Sequence, residues 1–154
     1  MNARKRLTFW SADEDDDSLV RAVIAGRKRV TADLVEDYYR GYGELGELGE
    51  GGYAAGDLID VLDPRRRLRC TIRATRVQRF RFGAVPEEVW RGEGFDGARA
   101  FQDCHVACMP QYALHDEVEF VALHFELVEV AAVESAQAGR PGAATEALIC
   151  CQVN

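Results

Sequence analysis

Residues 67–75 alternate without interruption. Leu68, Cys70, Ile72 and Ala74 fall on one side of an extended chain, and Arg67, Arg69, Thr71, Arg73 and Thr75 fall on the other. Successive side chains of a strand point to opposite faces, so the pattern predicts a β-strand with an apolar face and an arginine-threonine face turned to solvent or ligand. Upstream, Leu58, Ile59, Val61 and Leu62 form a second apolar run, and Asp63-Pro64-Arg65-Arg66 between the two reads as a turn. A hairpin follows, with its second strand running on through Val77, Phe80 and Phe82. The longest strand is expected over residues 118–130. Its alternation slips near Ala122, where a bulge would absorb the extra residue.

The remaining periodicity is helical. Leu19, Val20, Val23 and Ile24 recur on one helical face after the acidic cluster of residues 13–17, and Gly26 stands where the helix should stop. Asp33-Leu34-Val35-Glu36 resembles a capping box, and Leu34, Val35, Tyr38 and Tyr39 continue as the stripe of a second helix. Seven glycines between residues 41 and 56 require a loop. Val85-Pro86-Glu87-Glu88 opens a short helix that Gly92-Glu93-Gly94 should break, which leaves Glu93 in a glycine loop. A further helix is expected over residues 97–108, with Phe101, Cys104, His105 and Cys108 on one face. From Ala131 the chain is rich in alanine and glycine and loses its period. Residues 1–130 are therefore read as one domain and 131–154 as a C-terminal tail. Helices precede and interrupt the strands without a βαβ rhythm, which makes the fold class α+β. The best fit is a small, partly open barrel of about five or six strands with flanking helices.

Charge narrows the function. The chain carries −7 overall, yet residues 64–81 hold eight arginines and no acid. That strip of +8 leaves −15 for the rest, so a phosphate backbone can be bound locally by a globally acidic protein. The competing reading pairs the strip with neighbouring carboxylates as a solvated face. No apolar run approaches the ~18 residues of a membrane span, and the basic N-terminus is followed by acids, unlike a signal peptide. A cytoplasmic location with no membrane partner is the expectation. Five cysteines, an odd number, argue against a disulfide framework. Cys104, His105 and Cys108 are read as fillers facing a core, so no metal and no cofactor is expected.

The joint between the first two helices is the most chemically loaded stretch. Gly26-Arg27-Lys28-Arg29-Val30-Thr31 holds three cations and a hydroxyl beside a helix-stopping glycine. Such a joint suits the capture of an anion better than burial in a core.

Taken in order, these segments resemble the ASCH domain family, a group of small RNA-associated modules in the PUA-like superfamily. The matching pieces are Gly26-Arg27-Lys28-Arg29-Val30-Thr31-Ala32 in the manner of a G-x-K-x-x-T segment, Gly56-Asp57, and Val61-Leu62-Asp63. Cys70-Thr71-Ile72-Arg73-Ala74-Thr75, Gly92-Glu93-Gly94, His105 and Phe125-Glu126-Leu127-Val128 complete the set. The resemblance spans residues 9–129 and implies a PUA-like β-barrel with a cleft at the Gly-x-Lys joint. It also implies RNA or a modified nucleoside as partner. Some members resemble ribonucleases, and small ones resemble amidohydrolases acting on acylated cytidine. In that branch a Lys, a Thr and a Glu form the site, and these fall on Lys28, Thr31 and Glu93.

The same residues carry that chemistry on their own terms. Thr31 is a nucleophile if a neighbouring base activates it, Lys28 an anion-binding or proton-accepting group, and Glu93 the carboxylate that orients Lys28. Arg27, Arg29, Arg67, Arg69 and Arg73 are the candidate contacts to RNA or ligand. Lys28 and Glu93 are expected at segment ends, where replacement costs little stability. In a plain strand Lys28 and Thr31 would face opposite ways, so they converge only if the joint turns. The alternative is a non-enzymatic RNA-binding or coregulator interaction module. His105, on the apolar stripe with Phe101 and Cys108, is read as a core histidine.

Overall fold

The computed structural model describes residues 4–9, 11, 13–40 and 52–132. Most of the glycine-rich loop, Trp10 and nearly all of the C-terminal tail lie outside them. The described elements run β1 (Lys5–Thr8), α1 (Ser18–Ile24), β2 (Val30–Leu34), α2 (Val35–Arg40), β3 (Leu58–Leu62), β4 (Leu68–Arg81), α3 (Glu87–Glu93), α4 (Ala98–Cys108) and β5 (Glu119–Val130). The five strands form one sheet in the order β1-β3-β4-β5-β2. β1 runs parallel to β3, and every other pair is antiparallel. The sheet curls into a half-barrel with helices on its flanks, so the fold is α+β and PUA-like.

The hairpin is where the alternation placed it. β3 and β4 pair from Leu58↔Arg73 to Leu62↔Leu68, and the turn between them puts Arg66 at φ 69°. β4 and β5 then pair along almost their whole length. Two residues fall out of register there, Thr75 on β4 and Val128 on β5. Each such irregularity adds local twist, which helps a long two-stranded ribbon to curl. The bulge expected at Ala122 is absent. Ala122 pairs in register with Gln78 on one side and Ala32 on the other. The alternation slips for a different reason: both faces of β5 are covered. Val121, Leu123 and Phe125 join a cluster with Leu7, Phe9, Ile59, Ile72 and α1's Leu19, Val20 and Val23. Phe120 and Ala122 point the other way, into Val30, Ala32, Phe80, Phe82, Val89 and Phe101. A strand buried on two faces reads as a continuous apolar run.

Three further differences have simple causes. β1 carries one buried residue, Leu7, too little for any period to register. Val30–Leu34 is a strand, whereas a helix stripe beginning at Leu34 was expected. Pairing with β5 from Val30↔His124 to Leu34↔Phe120 overrides the local signal, and α2 starts only at Val35. Asp33 accordingly accepts from the N–H of Leu34 rather than capping a helix in the usual way. Cys70 and Cys104 are in no disulfide, but Cys108 is disulfide-bonded, against the expectation from the odd cysteine count.

The arginine face of β4 is partly buried. The Arg69 guanidinium lies 2.8 Å from Asp17 and 3.3 Å from Asp63, and Asp63 also accepts from the Arg67 side chain at 2.9 Å. Thr71 donates to Asp60 at 2.9 Å. Burial pushes the Asp63 carboxyl up, but hydrogen bonds from the Arg67 backbone and guanidinium, and from Arg69, outweigh it and hold the group below its ordinary value. Removing one partner of a buried pair leaves the other charge uncompensated, at a cost of about 3 kcal/mol or more. Asp63→Ala should lower the melting temperature accordingly. Because the folded-state pKa is depressed, wild type's advantage should be complete above about pH 4 and fade as the pH falls through the lower folded value. Thermal melts of both proteins between pH 7 and pH 2.5 check this, and an advantage that persists undiminished at pH 2.5 would contradict it.

Candidate functional site

The joint that carries Lys28 is built by a helix C-cap. Gly26 adopts φ +77°, its N–H donates to the Val23 carbonyl at 3.0 Å, and the N–H of Arg27 donates to Ala22 at 2.9 Å. This is the Schellman arrangement, which needs a left-handed residue and therefore favours glycine. It turns the chain sharply, and the N–H of Lys28 also reaches the Ala22 carbonyl at 3.2 Å. The next residue is clamped from two directions. Arg29 donates its N–H to the Gly92 carbonyl at 2.7 Å, and its own carbonyl accepts from Phe125 at 3.0 Å. Lys28 thus enters the body of the protein between fixed neighbours, with Arg27 and Arg29 exposed on either side.

Lys28 is only 3% exposed. Its Nζ stands 3.9 Å from Glu93 Oε2 and 5.5 Å from the centre of the Phe9 ring. Glu93 is itself 4% exposed. Its position corrects the sequence reading, which put it in a glycine loop. α3 continues through Gly92 and Glu93 and ends at Gly94, whose φ of +98° caps it. Gly92 does not break the helix; it lets the helix approach. A Cβ there would overlap the Val30 side chain of β2. The missing side chain is what allows the end of α3, and with it Glu93, to reach Lys28.

Thr31 is fully buried in β2, directly opposite Leu123 on β5. Leu123 and Phe9 belong to one cluster, on the face opposite Val30 and Ala32. Thr31 therefore points to the side on which Phe9 carries the Lys28 ammonium. The joint does turn, at Gly26.

His105 is buried as well. Its Nδ1 is 2.8 Å from the Phe101 carbonyl, and its ring stacks on Phe101 with centroids 4.0 Å apart. Burial depresses its pKa to about 4, and the Lys28 charge pushes it the same way, so the ring is neutral near pH 7. A pocket of about 290 Å³ is lined by Lys28 together with Val23, Gly26, Arg29, Phe125, Glu126 and Leu127; Thr31 and Glu93 do not line it. Arg73 reaches its rim indirectly, through an ion pair with Glu126 at 2.9 Å. Arg67 and Arg69 do not; they belong to the Asp63 network. Other members of the strip are also paired, Arg65 with Asp15, Arg76 with Glu88 and Arg81 with Glu117. Phe9 and Glu126 are not among the candidate site residues of the sequence, since neither stands near Lys28 in the chain. Trp90 is partly buried against the second cluster, and Arg91 stacks on its ring.

A half-barrel with a buried lysine-carboxylate pair at the Gly-x-Lys joint defines a class, and comparison with known proteins identifies it. The ASCH domain model matches residues 5–129. The chain belongs to the ASCH domain family. Among solved structures it is similar to protein EF3133 from Enterococcus faecalis, with 21% identity, a TM-score of 0.64, and coverage of 86% of this chain and 84% of that one. It is also similar to an ASCH domain from Lactobacillus crispatus, at 20% identity and a TM-score of 0.62 over 81% and 80% of the two chains. A search of curated proteins finds no match. Among the described residues no helix is long and apolar enough to cross a membrane.

The burial of Lys28 and Glu93 overturns the expectation that they could be replaced cheaply. Removing either alone strands a buried charge. Gly92→Ala tests the packing that joins them. Overpacking of this kind costs about 1–3 kcal/mol, and it should displace Glu93 from Lys28. The melting temperature should fall, and any activity dependent on the pair should fall by more than Asp63→Ala lowers it under conditions where both variants remain folded.

Proposed function

We propose that the Lys28 cleft binds a nucleoside-like ligand and hydrolyses an acyl amide on its base. The observation that carries this reading is the Lys28–Glu93 pair, with both side chains more than nine-tenths buried. Two ions withdrawn from water contribute little net stability, so such a pair is poorly explained as a structural device. The pocket over Lys28, about 290 Å³, is at the low end of small-molecule sites (roughly 300–1,000 Å³) and suits a nucleoside better than a folded polymer.

The steps follow from the residue types. Lys28 first releases a proton to solvent; Thr31 Oγ1 then attacks the acyl carbon of the amide, and its proton passes to the lysine nitrogen, held in place by Glu93. The bond from the acyl carbon to the exocyclic nitrogen breaks, and Lys28 returns the proton to that nitrogen. Water then cleaves the threonine ester, releasing a carboxylic acid and restoring the hydroxyl.

The test uses cytidine acylated on its exocyclic amine. Thr31→Ala should abolish turnover while Thr31→Ser retains part of it. The double variant Lys28→Met/Glu93→Gln avoids a stranded charge and should lose about 100-fold or more in kcat, as when a positioned acid or base is removed. Full activity in Thr31→Ala would sink the mechanism, and full activity in the double variant would sink the site.

A second reading rests on Arg27 and Arg29, exposed on both sides of Lys28. These suit the backbone of RNA, either for cleavage at Lys28 or for binding alone in a non-enzymatic or coregulator module. Here the paired state of the strip matters. Arg27→Ala, Arg29→Ala and Arg73→Ala should each flatten the salt dependence of binding to a short RNA by about 0.7 in slope. Arg69→Ala should leave the slope unchanged, since its guanidinium is buried against carboxylates. Fluorescence anisotropy across a salt series measures this. Wild-type protein with RNA affinity but no turnover of acylated cytidine would favour the binding module.

A further inference from the structure

Of the three cysteines among the described residues, Cys108 alone is in a disulfide. It closes α4, half-buried at the helix's last position. A disulfide needs Cα atoms within about 7 Å and Cβ atoms about 3.5–4.5 Å apart. Cys70 cannot meet this. It is 1% exposed in the cluster with Leu7, Ile59 and Ile72, whereas α4 packs Phe101 into the other cluster, across the sheet. Cys104 lies one turn back on the same helix, where Cβ atoms four residues apart stand about 5–6 Å from one another. Neither is in a disulfide. The sequence holds two other cysteines, Cys150 and Cys151, both beyond the described residues. The chain is long enough to bring them back. β5 is followed by Ala131, whose N–H donates to the Arg69 carbonyl at 2.9 Å, and that fixes where the tail leaves the sheet. From there to Cys150 an extended chain reaches about 60 Å, well beyond the width of a domain of this size.

We infer that Cys108 is bonded to Cys150 or Cys151, so that a redox-sensitive tether ties the end of the C-terminal tail to the end of α4. The two tail cysteines are adjacent, and the one outside the bond remains a thiol next to it, the arrangement that thiol–disulfide exchange needs. The bond forms by exchange with a small-molecule disulfide such as oxidised glutathione. The Cys108 thiolate attacks one glutathione sulfur and releases one glutathione. A tail thiolate then attacks Cys108 Sγ of the mixed disulfide and releases the second. Two protein thiols are oxidised, one glutathione disulfide is reduced to two glutathiones, and the two thiol protons leave with them. Reduced glutathione in excess reverses both steps. The closed loop holds roughly forty residues, among them all of β5, and a cross-link of that size stabilises a fold by restricting the unfolded chain. The tail is thus joined to the domain at both ends. Nothing in this tether depends on the chemistry at Lys28.

Peptide mapping tests the pairing directly. Cleavage after glutamates puts Cys104 and Cys108 on residues 94–117 and both tail cysteines on residues 147–154. In full-length protein equilibrated with oxidised glutathione and digested without reductant, mass spectrometry should find these two peptides as one cross-linked species. Reductant should separate them. Cys104→Ser should keep the cross-link and Cys108→Ser should lose it. A mixture of unlabelled and 15N-labelled protein, oxidised together, should give no species that combines the two labels. Reduction should lower the melting temperature of the wild type by about 5 °C or more. It should then match that of Cys108→Ser, whose own melting temperature should not respond to reductant. Cys150→Ser/Cys151→Ser should behave as Cys108→Ser does. A cross-link that survives Cys108→Ser, its absence from oxidised wild type, or a mixed-label species would overturn the pairing. A wild-type melting temperature that reduction leaves unmoved would overturn the tether.

Discussion

The long antiparallel pairing of β4 with β5 is what the rest of the molecule hangs on. β3 attaches to the outer edge of β4, β2 to the outer edge of β5, and β1 to β3. Both faces of β5 are covered, so the two apolar clusters share this strand as their common wall. The positions out of register at Thr75 and Val128 let the ribbon bend toward a half-barrel. With β5 fixed in this way, its pairing partner β2 is fixed too. The clamp on the Arg29 backbone, from Phe125 on β5 and Gly92 on α3, then determines where Lys28 enters.

Two of the buried ionic groups in this frame differ in kind. Asp63 is surrounded by donors: the Arg67 backbone and guanidinium, and Arg69, which Asp17 shares. That network closes the hairpin turn onto the start of α1 and has the multiplicity of contacts expected of a structural ion pair. Lys28 and Glu93 meet at 3.9 Å, too far for a hydrogen bond between them, with the Phe9 ring beside the ammonium. The contrast also explains why the arginine strip, the most conspicuous charge feature of the chain, is a weaker guide to function than one buried lysine. Most of the strip is already paired with the protein's own carboxylates.

The elements were legible where their periodicity was simple. The β3–β4 hairpin, the Gly26 stop, α3's start after Pro86, α4 and the span of β5 all follow from alternation, helical spacing and the backbone demands of glycine and proline. Reading failed where long-range pairing or close packing overrode the local signal. Leu34 belongs to a helix stripe on paper and to a strand in the fold, because β5 offers β2 a hydrogen-bonding edge. Gly92 looks like a helix breaker and is a packing glycine, because Val30 lies against it.

By itself the sequence determined the class of fold, the ordered set of motifs that marks the family, and the identity of Lys28, Thr31 and Glu93 as residues worth weighing. It did so because strand and helix periods, cap residues and a loaded joint are local properties of the chain. Only the tertiary structure decided that Lys28 and Glu93 meet, that both are buried, and that Arg69 is consumed by Asp17 and Asp63. Those facts depend on which surfaces a curled sheet brings together. Residues 28 and 93 share no element and no period, and the free energy that joins them comes from packing across the whole domain.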